Sequence, residues 1–82
     1  MVKNITFITS SYINMTNDTI VKNRILSSYL SFMVLFYSGN NNNKQKAIEF
    51  FDNIVKSTIN SKIPADSAVF NYSKSCLSEL NI

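Results

Sequence analysis

The chain has 82 residues, a formal net charge of +3, and a composition that is 45% hydrophobic but only 16% charged. That describes one small domain with enough apolar material for a core and a mean hydropathy of zero, too polar to span a membrane. With no His, one Cys and one Gly, it excludes His-based acid–base or nucleophilic catalysis, imidazole or cysteine metal sites, an internal disulfide, and glycine-rich phosphate loops.

Residues 2–13 admit two readings. The β-branched Ile5, Thr6, Ile8 and Thr9 suit a short strand or extended arm. Ile5, Ile8 and Tyr12, spaced three and four apart, suit a first helix. The first 15 residues hold one Lys and no unbroken apolar core, so no signal peptide is expected. The lone Cys76 fits a reducing cytoplasm.

Thr16, Asn17 and Asp18 offer side-chain oxygens to the free N–H groups at a helix start, and a helix is predicted over 18–38. It carries one apolar row at Val21, Ile25, Tyr29, Phe32 and Phe36, and a second at Leu26, Leu30, Met33 and Tyr37. From Tyr29 onward it is apolar nearly all round, which places such a helix at the centre of a domain or under a partner. The nine-residue run Tyr29–Tyr37 is far short of the about 20 residues that a membrane span needs. Gly39 supplies a stop and Asn40–Asn43 a loop.

A second helix is predicted over 44–62, with Ala47, Ile48, Phe51, Ile54, Val55, Thr58 and Ile59 on one face. Phe50 departs from that stripe. Glu49 and Asp52 share a face of this helix, as a solvated pair of carboxylates commonly does. Ile63-Pro64 breaks it and opens a third helix over 65–80, where Val69, Tyr72, Cys76 and Leu80 form a stripe beside Phe70 and Leu77. The expected fold is all-α: three antiparallel helices, or four if residues 2–13 are helical. Residues 1–15 form an arm or short helix and 16–82 a single helical domain.

The order of residues in the second half resembles the tetratricopeptide repeat. Ala47-x3-Phe51 matches the second-helix part of that signature, Pro64 follows as its break, and Val69-x2-Tyr72-Ser73-x2-Cys76 falls where a following repeat would open. The Asn loop is longer than the usual tight turn and Pro64 comes late, so the pattern amounts to about one repeat and a half over residues 24–80. An ordinary small helical bundle would carry the same Ala and Phe. The resemblance implies helix-packing roles for Ala47, Phe51, Ile54, Val69, Tyr72 and Cys76. It also implies a function like that of small chaperones and adaptors of bacterial type III secretion, which hold a helical subunit in an apolar groove.

The functional expectation is therefore a non-enzymatic, cytoplasmic protein-binding adaptor or chaperone, with no catalytic residues, metal or cofactor. Its contact residues are expected to be Tyr29, Phe32, Phe36, Phe50 and Phe70. The partner is a helical subunit of another protein, or a second copy of the chain. The alternative is a small basic nucleic-acid-binding or host-interfering protein of phage or plasmid type. Against it, the eight basic residues are spread over the whole chain and include a single Arg.

Overall fold

A computed structural model describes residues 1–38 and 43–82; Gly39 and Asn40–Asn42 of the expected stop and loop lie outside them. Four helices follow one another, α1 (Val2–Asn14), α2 (Thr19–Phe36), α3 (Lys44–Thr58) and α4 (Pro64–Leu80), with no strand among the described residues.

Residues 2–13 are thus helical. Their β-branched side chains disfavour a helix only slightly, and packing outweighs that preference. The helical form buries Ile5 and Thr9 and lays Val2, Ile8, Tyr12 and Ile13 against the core. The hydroxyls of Thr6, Thr9 and Ser11 each donate to the carbonyl four residues back, so they reach the helix surface already paired.

α2 starts where its caps require. Asp18 Oδ1 accepts from the backbone N–H of Ile20 (2.9 Å) and Val21 (3.3 Å), and Thr16 Oγ1 accepts from Asp18 N–H (3.1 Å). Replacing Asp18 by alanine is expected to destabilise the protein by about 1 kcal/mol, through two N–H groups left without that acceptor. Urea denaturation followed by circular dichroism measures this, and an unchanged midpoint would refute the capping role. At the other end, Asn43 ties the start of α3 to the end of α2: its Nδ2 donates to Ser38 Oγ (3.0 Å) and to the Ser38 carbonyl.

α3 ends at Thr58, four residues before the predicted limit. Ile63 is extended (φ −80°, ψ 124°), the conformation that a following proline enforces. Ser61 leaves the helix to serve the next one: its hydroxyl donates to Asp66 Oδ2 (2.6 Å) and accepts from Ile63 N–H (3.2 Å). Pro64 then opens α4 as its first residue.

α2 and α4 form the central pair. α1 and α3 each pack on both, and they do not meet each other. Arg24 near the start of α2 pairs with Asp66 at the start of α4, so these two helices run in the same direction. Asn4 Nδ2 donates to Glu79 Oε1 (2.6 Å), so α1 runs opposite to α4. The core holds Ile5, Val21, Ile25, Phe32, Phe36, Ala47, Phe51, Tyr72, Cys76 and Leu80. Residues on both sides of the expected 15/16 boundary contribute to it. Its centre is a chain of rings in which Phe32 lies 5.6 Å from both Phe36 and Phe51, and Phe51 lies 6.1 Å from Tyr72.

Candidate protein-binding face

The two apolar rows of α2 have opposite fates. The row with Val21, Ile25, Phe32 and Phe36 turns inward, and Phe32 and Phe36 are only 0% and 8% exposed. The expectation that these two form an open contact patch is thereby corrected. The physical reason is that α1, α3 and α4 pack on this side of α2, where Phe32 stacks with Phe36 and Phe51 and both rings leave water. Tyr29, of the same row, is half-buried. Its hydroxyl lies 2.8 Å from Thr6 Oγ1, whose proton goes to the Val2 carbonyl, so Tyr29 donates to Thr6.

The other row is left to solvent. Leu26, Leu30, Val34 and Tyr37 are 44%, 54%, 71% and 62% exposed. Met33 on the same side is half-buried, and Ile20, six residues before Leu26, is exposed. Three of these residues, Leu26, Leu30 and Tyr37, belong to the second apolar row visible in the sequence. Val34 was not singled out there. The signal was the all-round apolar character of the helix: neighbours packed on one side of it cannot cover every side.

Of the other expected contact residues, Phe50 is half-buried and packs edge-to-face on Phe51 with ring centres 5.2 Å apart. Phe70 is half-buried under Lys74, whose Nζ sits 5.2 Å above its ring. Neither joins the α2 row into a single set of named contacts. The expected packing residues Ala47, Phe51, Val69, Tyr72 and Cys76 are buried, and Ile54 is half-buried.

α1 is fastened by three similar hydroxyl pairs. Thr6 with Tyr29 is one. Thr9 Oγ1 lies 2.8 Å from Tyr72 Oη and gives its own proton to the Ile5 carbonyl, so Tyr72 donates. Ser75 Oγ lies 3.2 Å from Tyr12 Oη and gives its proton to the Asn71 carbonyl, so Tyr12 donates. This order makes the pairs asymmetric. Tyr72→Phe leaves Thr9 bonded to Ile5 and is expected to cost about 1 kcal/mol. Thr9→Val leaves the buried phenol only the weak sulfur acceptor of Cys76 and is expected to cost about 2 kcal/mol. A double-mutant cycle on urea unfolding tests the order, and a costlier Tyr72→Phe would reverse the donor assignment.

Ser73 is wholly buried, and its hydroxyl has no hydrogen-bond partner among the described residues. Removing an unpaired buried hydroxyl while keeping the small side chain should not hurt. Ser73→Ala is expected to be neutral or stabilising by up to about 1 kcal/mol. A clear loss in the thermal midpoint would reveal a partner for that hydroxyl.

Two ion pairs are seen among the described residues, Arg24 with Asp66 and Lys56 with Asp52. Hydrogen bonds from Ser61 and Arg24 hold the Asp66 carboxyl below its usual range. Asp52 is 2.8 Å from Lys56, one turn along α3. A shallow cleft of about 360 Å³ between α2, α3 and α4 is lined by Arg24, Ser27, Ser28, Ile54, Ser57 and Val69 and includes no carboxylate. A second, of about 330 Å³, lies where α1, α2 and α4 meet and is lined by Tyr12, Met15, Val21, Ile25, Pro64 and Ala68, among others. Among the described residues, no three His, Cys, Asp or Glu side chains stand together as a metal-holding group, and no helix is long and apolar enough to cross a membrane. Compared with known protein families, with curated proteins and with solved structures, the chain matches none.

Proposed function

We propose that the protein is a non-enzymatic adaptor or chaperone that holds a helical segment of a partner protein on the outer face of α2. The observation that carries this reading is the exposed row Leu26, Leu30, Val34 and Tyr37. A contiguous apolar stripe on one helix is the surface that an amphipathic partner helix uses, with anchors every three or four residues. The tetratricopeptide-like reading belongs to the same proposal, supported by the burial of Ala47 and Phe51 and by Pro64 at the head of α4. A place beside a bacterial secretion system and a cytoplasmic site of action complete it. The unpaired thiol of Cys76 supports a reducing compartment.

Affinity capture from extracts of the native cell, with wild type and a Leu30→Glu/Val34→Lys variant side by side, tests the proposal. Both positions are exposed, so the variant should keep its helix content and thermal midpoint. The expected result is one or more proteins retained by wild type and lost by the variant. Equal retention by both would remove the α2 face from the function.

A further inference from the structure

The row Leu26, Leu30, Val34 and Tyr37 is apolar along its whole length, but the charges beside it are unevenly placed. At its head Lys22 stands one turn along α2 from Asp18, and Arg24 is tied to Asp66, so each cation there has a carboxylate at hand. Its end differs, because α1 and α3 both begin there. α1 runs antiparallel to α2, and the hydroxyl pair of Thr6 and Tyr29 sets one side of α1 against it. Lys3 lies one turn before Thr6 on that side, exposed, and so stands level with Met33. On the other flank, Asn43 ties the start of α3 to Ser38, and Ile54 and Ser57 share a cleft with Asn23, Arg24 and Ser27 of α2. Lys46, also exposed, lies three turns before Ser57 on the same side of α3, beside the last turns of α2.

The carboxylates leave these two flanks positive. Asp18 and Asp66 belong to the head of the row. Glu79 accepts from Asn4, which lies two residues from Thr6 and therefore faces away from α2. Asp52 pairs with Lys56. Glu49 is the nearest to Lys46, one turn along α3, and Lys44 in the first turn of that helix offsets it. α1 and α3 carry lysines and no acidic residue in their first turns, where a helix ordinarily favours carboxylates. We infer that the segment held on this face is an acidic amphipathic helix, with carboxylates on both sides of its apolar stripe at the end that covers Val34 and Tyr37. The inference rests on the reading of this face as a helix-binding surface and names the chemistry of its occupant.

An apolar row alone sets neither the direction nor the kind of helix that lies on it. A lysine on each side of one end sets both. The partner's carboxylates reach Lys3 and Lys46 in one direction only, and a basic helix is repelled there. α2 itself carries no carboxylate from Thr19 to Phe36, so a second copy of it lacks the complementary groups. The lysines stand at the rim of the contact, where salt screens them, whereas the apolar row at its centre is not screened. Charge therefore selects the partner and the row holds it, so affinity should fall with salt without vanishing.

Fluorescence anisotropy with the full chain and two labelled synthetic peptides gives the test. Each peptide is a helix as long as α2 with leucines on one face; one has glutamates on both sides of them, the other lysines. The glutamate peptide should bind about tenfold or more tighter than the lysine peptide at low salt, with the difference shrinking at high salt. Lys3→Glu/Lys46→Glu should weaken it about tenfold. Lys62→Glu/Lys74→Glu, which changes the net charge equally at sites away from this face, should weaken it no more than about twofold. Leu30→Ser, which adds no charge, should weaken binding at unchanged helix content. Equal loss in the two charge variants overturns the inference. So does a glutamate peptide that fails to bind, or one displaced by phosphatidylcholine–phosphatidylserine vesicles that bind the protein more tightly. Equal binding of both peptides, still weakened by Leu30→Ser, overturns the acidic partner alone and leaves the adaptor reading standing, since capture with the Leu30→Glu/Val34→Lys variant decides that reading separately.

Discussion

Phe51→Ala is expected to destabilise the protein by about 3–5 kcal/mol, the range for removing a large ring from a packed core. Phe51 is fully buried and packs against three rings: Phe32 on α2 and Tyr72 on α4, its neighbours in the aromatic chain, and Phe50 beside it on α3. Its loss therefore leaves a void that two central helices border, with little freedom to collapse. A domain of this length has a total stability of about 4–12 kcal/mol at the usual value per residue, so the variant sits near the limit of folding. The half-buried Phe50 offers an internal comparison, with an expected loss of about 1 kcal/mol. Urea unfolding measures both. A Phe51→Ala loss as small as that of Phe50→Ala would show that the aromatic chain is not the centre of the core.

The second large effect appears at high pH. Burial pushes the Cys76 thiol up from its ordinary 9.0 to about 12, against the opposing effect of its hydrogen bond with Tyr72. Burial likewise raises the Tyr72 phenol above its ordinary 10.0, and the neighbouring Cys76 adds to the rise. Both groups are neutral when protonated, and the fold favours that form. Their contribution is complete below pH 9.0, where neither state has released a proton. Above it, the unfolded chain gives up the Cys76 proton while the folded chain keeps it until about pH 12. Stability should then fall by about 1.4 kcal/mol per pH unit, on the order of 4 kcal/mol across the window from Cys76 alone. The fall should steepen above pH 10, as the phenol of Tyr72 begins to ionise in the unfolded chain. Urea midpoints measured from pH 8 to 11 should drop less steeply in Cys76→Ala than in wild type. Parallel slopes would mean that the thiol ionises as easily in the fold as in water.

What the sequence disclosed were features whose cause is local. Asp18 lies two and three residues from the N–H groups it caps, and Pro64 dictates the backbone of Ile63, so both helix starts are legible. Ala47 and Phe51 are legible because the periodicity of α3 is unambiguous. The rest depended on distant partners. Whether residues 2–13 pair as a strand or coil into a helix is decided by α2 and α4, which supply a surface for Ile5 and Tyr12. The end of α3 at Thr58 depends on Ser61 finding Asp66 across the proline. The α2 contact face was the hardest case. Both rows are apolar, and only the positions of α1, α3 and α4 around the helix decide that Phe32 and Phe36 go in while Leu30 and Val34 stay out. The sequence revealed the surplus without revealing its side.

The placement of α1 has a consequence for synthesis. Its contacts with α4 join Asn4 to Glu79, Thr9 to Tyr72 and Tyr12 to Ser75. Of the four helices, α1 is made first and therefore waits for α4, made last, before it can be seated. Until then Ile5, Ile8 and Tyr12 have only α2 to shelter against, whereas α3 and α4, neighbours in the chain, join as soon as both have emerged. Of the four helices, α1 is thus the one most open to wrong association during synthesis, and that exposure closes only when the final turn of α4 is complete.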